Sequence, residues 1–211
     1  VAGLYHSLRP DVEAELSPAG LPLPDQREAV LIKLNRGNGE TPLFMIPGGM
    51  GTRNELMVFA GMVRHFASDR QVYGIRAPLE RWKDNEPTVE MIAEEYIREI
   101  RSIQVTGPYL ICGECIAGVI AYEIARQLVE AGERVAHLIL LDPTFPSRDR
   151  VERLEASGYR RLREAHGEEL ASMVYPYSLA LAQYRPSNFA GDVTLIGLEA
   201  TLELSGETQV W

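Results

Sequence analysis

The stretch Tyr109-Leu110-Ile111-Cys112-Gly113-Glu114-Cys115-Ile116-Ala117-Gly118 decides the fold. Tyr109 to Cys112 is a continuous apolar run, as expected of a strand buried on both faces. Ile116 to Val129 is a strongly apolar helical pattern that ends at Ala131-Gly132. Only a few residues separate the two, and Gly113 and Ala117 flank Cys115 at minus two and plus two. A side chain at the centre of such a turn stands at the carboxyl end of the sheet and at a helix N-terminus. There the helix dipole favours a thiolate, and free backbone N–H groups can donate to an oxyanion. Cys115 is therefore a candidate nucleophile.

Working outward, the same alternation of strand and helix repeats. Val30–Leu34, Leu43–Ile46, Val72–Ile75, Val135–Leu141 and Val193–Ile196 read as further strands. Leu56–Phe66 reads as a helix. Thr88 is placed to cap another, whose apolar positions Val89, Ile92, Ala93, Tyr96, Ile97, Ile100 and Ile103 form one stripe. Strand–helix–strand units of this length predict an α/β fold: a mostly parallel sheet with right-handed crossovers and helices on both faces. The rhythm breaks over 148–184, which is arginine-rich, helical in pattern and without a strand. It is expected to be a helical lid inserted between two strands. Residues 1–27 hold Pro10, Pro18, Pro22 and Pro24 with no sustained period, and read as a linker. That leaves 28–211 as one domain.

Composition narrows the function. In 211 residues, 30 Asp and Glu stand against 21 Lys and Arg, giving a formal net charge of −9. A nucleic-acid or anionic-membrane surface needs a cationic face, so neither partner is expected. No apolar run is long enough to span a bilayer, and the first residues lack a signal-peptide pattern, so a cytoplasmic location is expected. Two cysteines exclude a disulfide scaffold. Cys112 and Cys115 form a Cys-x-x-Cys, but a redox pair needs both sulfurs beyond the strand, whereas Cys112 continues the apolar run. Structural zinc needs four ligands, and no second pair exists; no metal site is expected.

The segment 113–118 resembles the nucleophile elbow of the α/β-hydrolase superfamily. More narrowly, the chain is similar to the thioesterase domains of nonribosomal peptide and polyketide synthases. Pro42-Leu43-Phe44-Met45-Ile46-Pro47-Gly48-Gly49 resembles their strand and oxyanion loop. Val72 to Pro78, Gly107-Pro108-Tyr109-Leu110, Ala121 to Ala125 and Val135 to Asp142 continue the likeness in order. The resemblance implies an α/β-hydrolase fold in which Cys115 is the nucleophile and Asp142 is the acid that orients the base. It implies an oxyanion hole formed by the N–H groups of Gly49 and Ile116. The substrate would be an acyl or peptidyl thioester on the phosphopantetheine arm of an upstream carrier-protein domain, released by hydrolysis or cyclisation. No cofactor of the protein's own is implied.

Departures from the family pattern matter as much. The nucleophile is Cys where the family usually has Ser, and the plus-two residue is Ala117 where it has Gly. The family's base His lies after the last strand, and none of His6, His65, His137 or His166 matches it. His137 starts the strand that Asp142 follows, which puts it about 15–17 Å away along the sheet. The expectation is that the last strand and the His loop are missing from this chain, and that no imidazole reaches Cys115. Two other readings stay open: a non-catalytic hydrolase-like module that binds acyl chains or a carrier domain, and an α/β-hydrolase acting on free esters.

Overall fold

The computed structural model describes residues 29–51, 53–66, 68–82, 86–144 and 147–197. The linker expected over 1–27 lies outside the described residues, as does the segment 198–211 at the carboxyl end.

The elements follow in the order β1 (Leu31–Lys33), β2 (Gly39–Ile46), α1 (Arg53–Val63), β3 (Arg70–Ile75), α2 (Leu79–Trp82), α3 (Val89–Ile103) and β4 (Tyr109–Glu114). A 3-10 turn at Cys115–Ala117 leads into α4 (Gly118–Glu130), β5 (Val135–Leu141), α5 (Arg148–His166), α6 (Glu168–Gln183) and β6 (Val193–Ile196). Among the described residues six strands form one sheet, in the order β1-β3-β2-β4-β5-β6. Only the edge pair β1–β3 is antiparallel.

Side-chain alternation on the strands divides the interior in two. Phe44 and Ile46 of β2, Ile111 of β4 and Leu138 and Leu140 of β5 face a large core with α3, α4 and α6. Leu43, Met45, Val72 and Cys112 face the other way, onto Leu56, Phe59 and Val63 of α1. Thr88 caps α3 by accepting the Met91 N–H at 3.3 Å, and its apolar stripe is buried from Val89 to Ile100. Helix α1 starts a turn earlier than its apolar pattern, because Arg53-Asn54-Glu55 supplies a polar first turn with an acid at the positive end of the dipole.

The insertion over 148–184 is not one exposed unit. Helix α5 is solvent-facing, with Gly158 its only buried residue. Helix α6, by contrast, buries Ala171, Val174, Tyr177, Ala180, Leu181 and Ala182. Its Tyr177 stacks on Trp82 at 5.8 Å between ring centroids, 6° from parallel. The expected helical insertion is thus present as two helices, and the arginines of the exposed α5 hide in the sequence the apolar period of the core helix, which begins only at Leu170. Gly167, at φ 87, makes the break between them.

The sheet order places the site. From β2 the chain moves outward to β3, then crosses back over β2 to β4 and continues to β5 and β6. The carboxyl ends of β2 and β4 therefore border the point where the winding reverses, which is where open α/β sheets form a crevice. The loop after β2 and the turn after β4 meet there.

Candidate active site

Cys115 is the first residue after β4 and has φ 51, in the left-handed region that L side chains seldom adopt. The strain follows from the fold. β4 must reverse directly into α4, and the close packing of Gly113 and Gly118 permits it. A Cβ on Gly113 would lie 2.6 Å from the Ala121 Cβ and 2.9 Å from the Gly118 Cα. Cys115 is half-buried, whereas Cys112, three residues earlier, is in the core on the α1 face. Burial, with the Glu114 charge adding to it, pushes the Cys112 thiol up to about 12. Cys112 is thus an inert core thiol, as its place in the apolar run predicts.

The loop after β2 sits against this turn. A Cβ on Gly48 would lie 2.7 Å from the Cys115 Cβ, so no larger residue fits. Gly49 and Gly51 have φ 65 and 69, conformations that glycine adopts freely. The Gly48 N–H donates to Glu114 Oε2 at 3.1 Å, and the Met50 N–H donates to Glu55 Oε1 at 3.4 Å. The Gly51 N–H closes a turn onto the Gly48 carbonyl at 3.2 Å. Neither Glu55 nor Glu114 stands out in the sequence as part of this loop.

Asp142 follows β5, and the register pairs Leu141 with Glu114, so Asp142 and Cys115 lie at the same edge of the sheet. Asp142 is exposed, with φ 43, and its N–H donates to the Ile196 carbonyl at the end of β6. Two residues on, Thr144 crosses the elbow. Its N–H donates to the Cys115 carbonyl at 3.2 Å, and its Oγ1 lies 3.4 Å from Cys115 Sγ. Thr144 is a residue the sequence did not flag. Ile116 is buried in the 3-10 turn, where first-turn N–H groups have no intrahelical partner.

Among the described residues no histidine accompanies Cys115. His65 follows α1 and is exposed, His137 is exposed on β5 opposite Leu110, and His166 ends α5 in solvent. His6 lies outside the described residues. Among the described residues, no group of His, Cys, Asp and Glu could hold a metal ion, and no helix is long and apolar enough to cross a membrane.

The strand order, the strained residue after β4 and the glycine loop after β2 define an α/β-hydrolase fold. Residues 41–188 match the family model for the thioesterase domain, and the chain belongs to that family. It is 36% identical over 145 residues to polyketide synthase PksR of Bacillus subtilis (strain 168), covering 68% of this chain and 5% of that one. It is 36% identical over 121 residues to the non-reducing polyketide synthase crz7 of Cladonia metacorallifera, covering 56% of this chain and 6% of that one. The chain thus spans only a small fraction of these large synthases. Among solved structures it resembles the NocB thioesterase domain from the nocardicin cluster, with a TM-score of 0.59 and 23% identity. That match covers 79% of this chain and 74% of the other. It also resembles YbtT, the type II thioesterase from the yersiniabactin NRPS/PKS biosynthetic pathway, with a TM-score of 0.59 and 19% identity. That match covers 80% and 78% of the two chains. At these identities the structural likeness bears on fold.

Proposed function

We propose that the chain is a chain-releasing thioesterase domain of a nonribosomal peptide or polyketide synthase, working through Cys115. The observation that supports this most is the placement of a strained, half-buried cysteine at φ 51 directly beneath a glycine loop, at the reversal point of the sheet. The substrate class is an acyl or peptidyl thioester presented on the phosphopantetheine arm of a carrier domain upstream.

In the first step Cys115 Sγ attacks the thioester carbonyl, and the N–H groups of Gly49 and Ile116 receive the developing oxyanion. Each such donor contributes about 3–4 kcal/mol to transition-state stabilisation. The carbon–sulfur bond to pantetheine breaks, and the departing thiolate takes the proton that Cys115 gives up. In the second step water, or a hydroxyl or amine of the acyl chain itself, attacks the Cys115 thioester, giving a free acid or a ring. Exchange of one thioester for another is nearly isoenergetic, so the acyl-Cys115 intermediate keeps the leaving-group energy needed for ring closure. The chemistry uses no metal or bound cofactor. In this reading Asp142, at the same edge of the sheet as Cys115, orients the base.

A second reading has its own support: the neighbour of Cys115 Sγ is the Thr144 hydroxyl, and no described histidine is near. That suits a module that binds acyl thioesters without turning them over. Incubation with an acyl-pantetheine thioester separates the two. Release of free pantetheine thiol, lost in Cys115→Ala, supports the thioesterase. Tight binding by calorimetry with no thiol released supports the binding module. Equal rates with an oxygen ester of the same acyl group would favour a general esterase over both.

A further inference from the structure

We infer that Glu114 is a positioning residue: its carboxylate holds the oxyanion loop against the nucleophile and, together with Glu55, determines which loop N–H faces the substrate. The inference rests on the thioesterase reading above and deepens it.

The need for such a strut comes from the sequence. Strands β2 and β4 pair as far as Ile46 opposite Gly113. The residue after β2 is Pro47, which has no N–H to continue the ladder. The sheet therefore releases the chain one residue before the loop that has to be held most accurately. Glu114, the residue before Cys115, supplies the missing tie from its side chain, accepting the Gly48 N–H at 3.1 Å across 66 positions of sequence. Gly48 is also the residue whose absent Cβ would fall 2.7 Å from the Cys115 Cβ. The bond is therefore made where loop and nucleophile are closest. On the far side, Glu55 in the first turn of α1 takes the Met50 N–H at 3.4 Å. A Cβ on Gly49 would lie 3.1 Å from Glu55 Cγ.

The consequence is an accounting of donors. Gly48 N–H is held by Glu114, Met50 N–H by Glu55 and Gly51 N–H by the Gly48 carbonyl. Among the described residues, none accepts from Gly49 N–H. The two carboxylates thus leave Gly49 as the donor for an oxyanion. A carboxylate so near a developing negative charge carries an electrostatic cost, because like charges repel across a partly buried site. Glu114 must therefore act as a hydrogen-bond acceptor and not through its charge. That separates it from a general base, which needs the carboxylate itself.

The experiment measures single-turnover acylation of the full chain by an acyl-pantetheine thioester, followed by intact mass, with alkylation of Cys115 by iodoacetamide in parallel. Alkylation needs the thiol but no oxyanion donor. Glu114→Gln keeps the acceptor and removes the charge. Glu114→Met and Glu114→Ala both lack the acceptor, so one folded variant of the two suffices. The expected result is acylation at saturating thioester about 10- to 100-fold slower in Met or Ala, within about threefold of the parent in Gln, and half-saturation unchanged in all. Alkylation should stay within about threefold throughout. Acylation by Met and Ala at the parent rate, or by Gln as slowly as by Ala, overturns the inference, as does alkylation that falls in step with acylation. A parent that is never acylated overturns the thioesterase reading itself, an outcome distinct from the other three.

Discussion

Cys112 lies within β4 on the α1 face and Cys115 in the turn just beyond it, and their chemistry divides accordingly. Because burial raises the Cys112 thiol to about 12, a thiolate-selective reagent at pH 8 should modify Cys115 once and leave Cys112 intact. Modification of both at similar rates would contradict the placement. Gly48→Ala should be more harmful than its size suggests. Its methyl would stand 2.7 Å from the Cys115 Cβ, and the backbone atoms of Glu114 leave the loop little room to yield. The expected outcome is acylation at least about tenfold slower, with the melting temperature lowered as well, since the methyl is forced in at a buried position. The elbow itself was legible from Gly113, Cys115 and Ala117, because tight backbone packing restricts residue type locally. Glu114, Glu55 and Thr144 were not, because their contacts join residues distant in sequence and leave no periodic trace.

Among the elements, β5, β6 and α3 were legible to the residue, since each combines a clean period with turn chemistry at both ends. The early part of β2 was not. Gly39 to Pro42 lacks the apolar run, yet it pairs with β3 across an irregularity in register. The core role of helix α6 is hidden in the sequence because the charged α5 precedes it without a proline or strand to mark the boundary. Its burial makes a test: Tyr177→Ala should cost about 3–4 kcal/mol, as expected for removing a fully buried ring. A loss below about 1 kcal/mol would mean that α6 is not part of the core. A second tie joins α4 to the chain after α6. Buried Glu123 accepts from Arg126 through both oxygens at 2.7 Å, from Gln127 at 2.8 Å and from the Tyr184 hydroxyl at 2.6 Å. Burial alone would raise the Glu123 carboxyl, but these donors hold it below its ordinary value. A carboxyl lowered in the folded state stabilises at pH above its unfolded value of about 4.3, and that stabilisation is lost as pH falls through the folded value. Glu123→Gln should therefore cost about 2–3 kcal/mol at pH 7, with the gap to the parent constant down to about pH 5.5 and narrowing at lower pH. A gap that widens on acidification would contradict this account of the cluster.

At the scale of the molecule, one sheet with a reversal between β2 and β4 brings the glycine loop, the elbow and the Asp142 turn to a single edge. Strand polarity was enough to place Asp142 there and His137 at the other end. The histidines that the structure describes are all exposed and apart from Cys115, so replacing His65, His137 and His166 together should leave single-turnover acylation within about twofold of the parent. A loss of tenfold or more would show that one of them serves as the base. The central claim is that Cys115 accepts the acyl group of a carrier-type thioester. The most direct measurement is peptide mapping by mass spectrometry after brief incubation of the full chain with an acyl-pantetheine thioester. The account predicts one added acyl group, on the peptide containing Cys115, and none in Cys115→Ala. An acyl group on any other residue, or none on a parent chain that still binds the thioester, would contradict it.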